Sequence, residues 1–477
     1  MKFDELLNAL KTDRTINVRI DSRLVGPGDI FAAIPGSQCD GHDYIGQAVA
    51  AGAKYIVAER PVSAEAAEVI MVDNSAVAAA LLGQAQKGNP ADKLTNLAVT
   101  GTNGKTTVAF LVRSIINAAG GKCGLIGTIE YDTGNEVAAA PLTTPDCLTI
   151  AELTEKMVEA GCGYAVYEAS SHALAQHRLG GVSFRAAAFT NLSGDHLDYH
   201  KSQSEYLAAK SLLFEGLDTD AMAVINKQYP QAEQIAQKTK AQILYYAVDA
   251  EADISARTIS ETAGGSRFEL SFNGQSKTVK TALLGQYNIS NCLAAAGLCI
   301  AAGFDLETVA AGLEKARPIP GRLEKVPAPA GAPAVLVDYA HTDDALKNVL
   351  QAIKPLCKGN LTVVFGCGGD RDASKRPRMA AVAEQLADKI FITSDNPRSE
   401  SANYIIGEIV TGFEDPIAES IYAEPDRQKA IELAIKQADA DDIILIAGKG
   451  HETYQILGDT RIDFDDRKIA AEALKKL

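Results

Sequence analysis

Gly101-Thr102-Asn103-Gly104-Lys105-Thr106-Thr107 places a lysine and a hydroxyl directly behind two glycines, the combination that holds a nucleoside triphosphate. A glycine-rich turn feeding a helix N-terminus aims unpaired N–H groups and the positive end of the helix dipole at an anion. Lys105 adds a point charge and Thr106 a hydroxyl suited to Mg²⁺. The spacing departs from the usual phosphate loop, since Val99 stands where its first glycine would and Gly101 takes that part. An ordinary glycine-rich turn is the alternative. The order of strand, loop, Lys-Thr and helix favours phosphate binding.

Further polar groups cluster behind other apolar runs, where ligands bind in open α/β sheets. Glu168-Ala169-Ser170-Ser171-His172 offers a carboxylate that can face Thr106 across a cation, and a hard cation on triphosphate keeps few protein ligands. Asp195, His196, Asp198 and His200 follow another run, with a polar loop and a capping aspartate as the plainer account. Lys210 lies in a helical stretch, where most lysines are simply solvated. Asn288 and Asn291 stand three apart at a helix start, so both amides can face one ligand, with capping by Asn288 as the alternative. Arg322, Asp338, His341, Gly366 to Arg371, Asp395 to Arg398 and Gly448 to Glu452 complete the set.

Positioning these groups requires three α/β domains. Residues 1–88 carry short strand-like runs and a small helical pattern, and Gly88-Asn89-Pro90 punctuates their end. Over 89–316, apolar runs at 96–100, 164–169, 186–192 and 221–225 alternate with helical stretches, which predicts a central P-loop-type domain with a mostly parallel sheet. Phe268, Leu270 and Phe272 alternate ahead of Asn273-Gly274, the sign of a flanking hairpin. Over 317–477, a Pro/Gly-rich hinge from Arg317 to Pro333 precedes runs at 334–339, 361–366, 389–394 and 442–447, a second, Rossmann-like α/β domain.

Composition excludes several classes of function. A net charge of −15 argues against nucleic acid as the main partner. No apolar run is long enough to span a membrane, and the charged start lacks a secretory signal, so a cytoplasmic enzyme is expected. The eight cysteines form no C-x-x-C pair and read as reduced thiols.

GTNGKTT, TTP at 143–145, E-x-S-S-H at 168–172, N-L-x-x-DHLD-x-H at 191–200, YxxAK at 206–210, GQYNISN, PGR at 320–322, DYAHT, GCGGDRD, DNPR and GKGHE stand in one order along the whole chain. The set resembles the Mur ligases of peptidoglycan synthesis, and among them the branch that adds meso-diaminopimelate to UDP-N-acetylmuramoyl-L-alanyl-D-glutamate. The resemblance implies three domains that bind the UDP sugar, ATP and the amino acid, with Mg²⁺ as cofactor, in a monomer. It implies uridine diphosphate contacts at Ser22, Ser37 and Gln38, and muramoyl-peptide contacts at Thr143, Thr144, Ser170, Gln176 and Arg178. Gly101 to Thr107, Asn288, Arg322, Asp338 and His341 match ATP contacts. Lys105, Thr106, Glu168 and His196 match residues that hold phosphates and metal, and Lys210 one that is carbamylated by CO₂ and bridges metals. Arg371, Asp395, Asn396, Pro397, Arg398, Gly448 and Glu452 match a diaminopimelate pocket. In place of the proline the family often carries after DYAHT stands Asp343, expected to cap the next helix.

So read, ATP converts a γ-carboxylate into an acyl phosphate that an amine attacks. Pro397 restricts Asn396 and its own φ, so Arg398 is expected to be presented from a stiff turn toward the carboxylate that distinguishes diaminopimelate from lysine. Two rivals stand beside this. A folylpolyglutamate synthetase-like ligase shares the ATP chemistry but leaves DNPR without a carboxylate to read, and a non-catalytic nucleotide switch has no use for Lys210.

Overall fold

The computed structural model describes residues 2–36, 39–193, 197–262 and 264–477, without the side chains of Leu197 and Asp198. The first sheet is parallel, in the order β1 (Val18–Arg19), β2 (Ile30–Ala32), β3 (Tyr55–Ala58), β4 (Glu68–Met71). Its helix Ser75–Gln86 starts at Asn74, whose side chain accepts the Val77 N–H, and is buried almost all round because it is built of small residues. It packs between this sheet and the helix Cys147–Glu159 of the next unit, so closely that a Cβ on Gly83 would meet Leu148 at 2.8 Å.

The central sheet has 11 strands. They are β5 (Thr95–Thr100), β6 (Cys123–Ile126), β7 (Glu130–Asp132), β8 (Val137–Ala139), β9 (Tyr164–Glu168), β10 (Ala186–Phe189), β11 (Met222–Asn226), β12 (Gln242–Val248), β13 (Ile254–Thr262), β14 (Gly265–Phe272) and β15 (Gln275–Thr281). Their order is β15-β14-β13-β12-β11-β10-β5-β9-β6-β7-β8. The middle, β13 to β6, is parallel, and its inner strands β11, β10, β5, β9 and β6 are buried on both faces, which is why they read as short apolar runs, whereas most of β13 is exposed. The expected hairpin is β14–β15, with Asn273 and Gly274 at φ 48 and 75, the left-handed pair that a two-residue turn needs. The ribbon β7–β8 makes the other edge antiparallel too, so the sheet is mixed. The helix Lys105–Ala118 buries Val108, Leu111, Val112, Ile115 and Ile116 on this sheet, at about 1.5–3 kcal/mol each.

The third sheet runs β16-β17-β21-β18-β19-β20, from β16 (Glu324–Lys325), β17 (Ala334–Asp338), β18 (Leu361–Phe365), β19 (Lys389–Ile392), β20 (Ile421–Ala423) and β21 (Ile443–Ala447). All are parallel except β16, which pairs antiparallel with β17. The Pro/Gly-rich stretch read as a hinge therefore contains an edge strand, and Val326 beside it is buried in the third core. Because β17, β18, β19 and β21 point the same way, the loops after them share one edge of the sheet. Those loops begin at Tyr339, Gly366, Thr393 and Gly448, so topology alone gathers four polar motifs.

Candidate active site

The phosphate loop is built for close approach. A Cβ on Gly101 would collide with the Thr190 hydroxyl and one on Gly104, at φ 88, with the Asn291 amide. Gly104 is the N-cap of the helix Lys105–Ala118 and supplies no side-chain cap, so the first-turn N–H groups face the loop's concavity. Asn191 holds the loop by accepting the Asn103 N–H at 2.8 Å and donating back to its carbonyl at 3.1 Å. Lys105 Nζ folds over the loop to the carbonyls of Gly101 at 2.9 Å and Thr102 at 2.8 Å.

Glu168, at the end of β9, is fully buried beside this loop. Its Oε2 accepts from the hydroxyls of Thr106 and Thr128, each at 2.9 Å, and its Oε1 accepts the Thr128 N–H at 2.9 Å. Thr128, 40 residues away in sequence, gave no signal of this role. Lys210, on the helix Gln203–Glu215 capped by Ser202, is buried with its Nζ 2.9 Å from the Gly101 carbonyl and 4.2 Å from the centre of the Tyr206 ring. Two lysines thus meet one loop carbonyl. The adjacent carboxylate and hydroxyl at Glu168 and Thr106 are hard oxygen donors of the kind Mg²⁺ takes. Among the described residues no group of three or more His, Cys, Asp and Glu side chains gathers as a metal cluster. Asp195 and His196 lie outside the described residues, while His200 is buried with Nε2 2.9 Å from the Ser171 hydroxyl.

The residues matched to the muramoyl peptide sit next to Glu168. Thr143 Oγ1 is 3.1 Å from Thr128 Oγ1, and Thr144 Oγ1 donates to the Glu168 carbonyl at 2.6 Å. Ser170 caps the helix Ser171–Ala175 and accepts from Thr144 at 3.2 Å, while Arg178 donates to the Thr144 carbonyl at 2.7 Å and to Gln176. Ser22 is remote in the chain and donates to Gln47 at 3.0 Å, and Ser37 and Gln38 lie outside the described residues.

The third sheet closes over the loop. Arg322 stacks on Tyr339 at 4.7 Å and donates to Thr106 Oγ1 at 3.1 Å, and Asn103 donates to Asp344 at 3.2 Å. Asp338, ending β17, accepts the N–H groups of Leu323 and Ala340. Burial nonetheless raises its pKa against those bonds and Arg322. His341 Nδ1 lies 2.8 Å from the Tyr339 carbonyl. Asn288 is inside its helix rather than at its cap, and its amide bonds the Leu284 carbonyl and Asn291. Asp343 is not the cap expected: Thr342 accepts the Ala345 N–H, and Asp343 takes the first helical position and pairs with Arg378 at 3.0 Å. Two groups of residues, Thr102–Thr107 with Glu168, Lys210, Asn288 and Asn291, and Arg322, Asp338, Tyr339 and His341, line one cavity of about 470 Å³, a size that suits a nucleotide.

At the same edge of the third sheet, Asn396 donates to Glu452 at 2.9 Å, and Gly448, at φ 112, leaves room for Asp395, which a Cβ would strike. Directly after Pro397, Arg398 adopts φ 52, a left-handed conformation uncommon for a residue with a side chain. Its Nη1 donates to the carbonyls of Gly369 at 2.8 Å and Asn396 at 3.4 Å. Arg371 is exposed and donates to the Asp370 carbonyl at 2.9 Å, close to Arg398 across Gly368. Two buried arginines frame these loops. Arg427 pairs with Asp466 and donates to the carbonyls of Ser394 and Ala447, and Arg376 pairs with Glu400 and Glu408 and donates to Gly368. Neither stands in a recognisable motif, so sequence reasoning passed over both.

Three models of one family match the chain: "Mur ligase family, catalytic domain" over 15–99, "Mur ligase middle domain" over 99–299 and "Mur ligase, glutamate ligase domain" over 321–450. A Geobacillus kaustophilus protein named UDP-N-acetylmuramoyl-L-alanyl-D-glutamate--2,6-diaminopimelate ligase is 44% identical, over 97% of this chain and 95% of its own. A solved structure of a protein with that name is 33% identical, with a TM-score of 0.69 over 96% of this chain and 94% of that one. The Mycobacterium tuberculosis folylpolyglutamate synthase complexed with ADP is 20% identical with a TM-score of 0.64, covering 77% of this chain and 90% of its own, a likeness of fold alone.

Proposed function

The chain belongs to the Mur ligase family, and from that premise we propose that it is the ATP-dependent ligase that joins meso-2,6-diaminopimelate to the D-glutamyl γ-carboxylate of UDP-N-acetylmuramoyl-L-alanyl-D-glutamate. What carries the reading is the convergence of Thr106, Glu168 and Arg322, from three distant segments, at the mouth of the phosphate loop. Overall identity of 44% over nearly the full chain to a diaminopimelate ligase, against 20% to a folylpolyglutamate synthase, favours it over the pterin-linked rival. Among the described residues no helix is long and apolar enough to cross a membrane, and we place the reaction in the cytoplasm.

In this reading ATP lies in the cavity with its phosphates on the N–H groups of 101–107 and on Lys105, and Arg322 approaches from the other side. A γ-carboxylate oxygen of the D-glutamyl residue, held beside Thr144 and Arg178, attacks the γ-phosphorus, and the bond to ADP breaks. The amine of diaminopimelate then attacks the acyl carbon, the C–O bond to phosphate breaks, and the amine loses a proton. Mg²⁺, held through Thr106, Glu168 and a Lys210 carbamate, with His196, would supply charge neutralisation to the phosphates. Lys210 suits carbamylation because its nitrogen is buried beside the loop, where an anion in place of a cation changes the charge that phosphates meet. Arg322 and Lys105 provide cations already in place, which favours charge that builds in the transition state. Closure of residues 317–477 over the loop excludes water from the acyl phosphate.

The test is product analysis with all substrates present. ADP and phosphate should form in equal amounts with the amide, and only when both the UDP-muramoyl dipeptide and diaminopimelate are supplied. AMP and pyrophosphate, or phosphate release that ignores either substrate, would overturn the proposal. Lys105→Ala should lower turnover far more than UDP-substrate binding.

A further inference from the structure

The loop after β21 buries a cation that the mechanism above does not use. The Lys449 side chain is 0% exposed, and its Nζ reaches Glu452 Oε2 at 2.8 Å and Asn396 Oδ1 at 3.2 Å. Asn396 closes the triangle by donating Nδ2 to the same Oε2 at 2.9 Å, while its Oδ1 also accepts the Ile456 N–H at 3.0 Å. Two donors on Oδ1 and an acceptor at Nδ2 leave the amide one orientation. Glu452 therefore has one oxygen gripped twice. Among the described residues nothing donates to Oε1, and the side chain is 15% exposed.

We propose that Lys449 is a positioning residue of the amino-acid pocket, clamping Asn396 and Glu452 Oε2 so that Oε1 is held toward an ammonium group of the incoming diamino acid. This rests on the reading of residues 395–398 and 448–452 as that pocket. A buried lysine is costly unless paired, and here the pairing is with two groups that also touch each other. Glutamate is rich in rotamers, and fixing it beforehand removes an ordering cost from binding. Lys449 offers the ligand's ammonium no attraction of its own, since like charges repel. Its effect is therefore geometric, and it enters through affinity for the amino acid.

Steady-state kinetics with each substrate varied in turn decide the matter, on the full-length protein as wild type, Lys449→Met and Glu452→Gln. Lys449→Met should raise KM for diaminopimelate at least ~10-fold, the weight of a lost hydrogen bond to a charged group. KM for ATP and for the UDP-muramoyl dipeptide should stay within about twofold, a split that general loosening of the fold would not produce. An unchanged or lower KM for diaminopimelate in Lys449→Met, with a raised one in Glu452→Gln, overturns the positioning role and leaves the pocket standing. An unchanged KM in Glu452→Gln overturns the pocket reading itself. Should Lys449→Met be recovered unfolded, Lys449→Gln, which keeps a donor but not the charge, carries the same expectation.

Discussion

Arg398→Ala should erase most of the preference for meso-diaminopimelate over L-lysine. The two amino acids differ chiefly by a carboxylate at the far end of the side chain, so the question is what a guanidinium can add there. One nitrogen of Arg398 is committed, with Nη1 on the Gly369 and Asn396 carbonyls. Among the described residues Nε and Nη2 have no hydrogen-bond partner, which leaves an edge for a carboxylate. The backbone is fixed as well: the Arg398 N–H bonds the Ile456 carbonyl at 3.2 Å and its carbonyl accepts the Gly458 N–H at 2.9 Å. A charge-assisted bond from so constrained a donor is worth about 1.5–3 kcal/mol, or roughly 10- to 150-fold in selectivity. The loss should fall mainly on KM for the diacid, and kcat/KM for both amino acids in wild type and variant measures it. Arg398→Gly supplies the control. Glycine adopts φ 52 without the strain of a side chain, so this variant should unfold at a higher temperature than Arg398→Ala, by the equivalent of up to about 1 kcal/mol, yet be equally unselective. Equal use of lysine by the wild type, or an unchanged ratio in Arg398→Ala, would refute the assignment. Restored selectivity in Arg398→Gly would assign the effect to backbone strain instead.

Lys210→Ala should be folded but nearly inactive, and a small carboxylic acid in the buffer should restore part of the activity by standing in for a carbamate in the space beside Gly101; full activity without rescue would exclude the metal-bridging role. His451 gives a pH test, because burial, with Arg322, Arg467 and Lys449 nearby, pushes its pKa down from 6.5 to about 3. Between those values the unfolded chain binds a proton that the folded one refuses, so stability contributed by keeping His451 neutral is lost as pH falls through the window, at up to ~1.4 kcal/mol per pH unit. Denaturation midpoints measured from pH 7 downward should therefore fall less steeply in His451→Leu than in wild type, and parallel slopes would show that the imidazole is not held neutral.

Local sequence determined where the elements stand, because period and punctuation are properties of neighbouring residues. The helix after the phosphate loop shows its buried face in Val108, Leu111, Val112, Ile115 and Ile116. The inner parallel strands such as β10 and β11 show theirs in unbroken apolar runs, and the β14–β15 turn is written in Asn273-Gly274. The motif residues were legible for the same reason, since glycine, lysine and threonine in that order have few other uses. The ribbon β7–β8 and the strand β16 were missed because two or three residues carry no period, and pairing with a neighbour is what makes them strands. Thr342 displaced Asp343 as a cap because either residue can cap and only the entry angle of the chain chooses between them. Tertiary structure alone decided that Thr128 grips Glu168, that Arg322 reaches Thr106, that Asn103 meets Asp344, and that buried Arg376, Arg427 and Lys449 support the loops around Arg398. Apart from the Arg376 bond to Gly368, which stays within the connection after β18, each of those contacts joins distant segments of the chain, and which segments become neighbours is set by strand order and by how the sheets pack, neither of which any local stretch of sequence encodes.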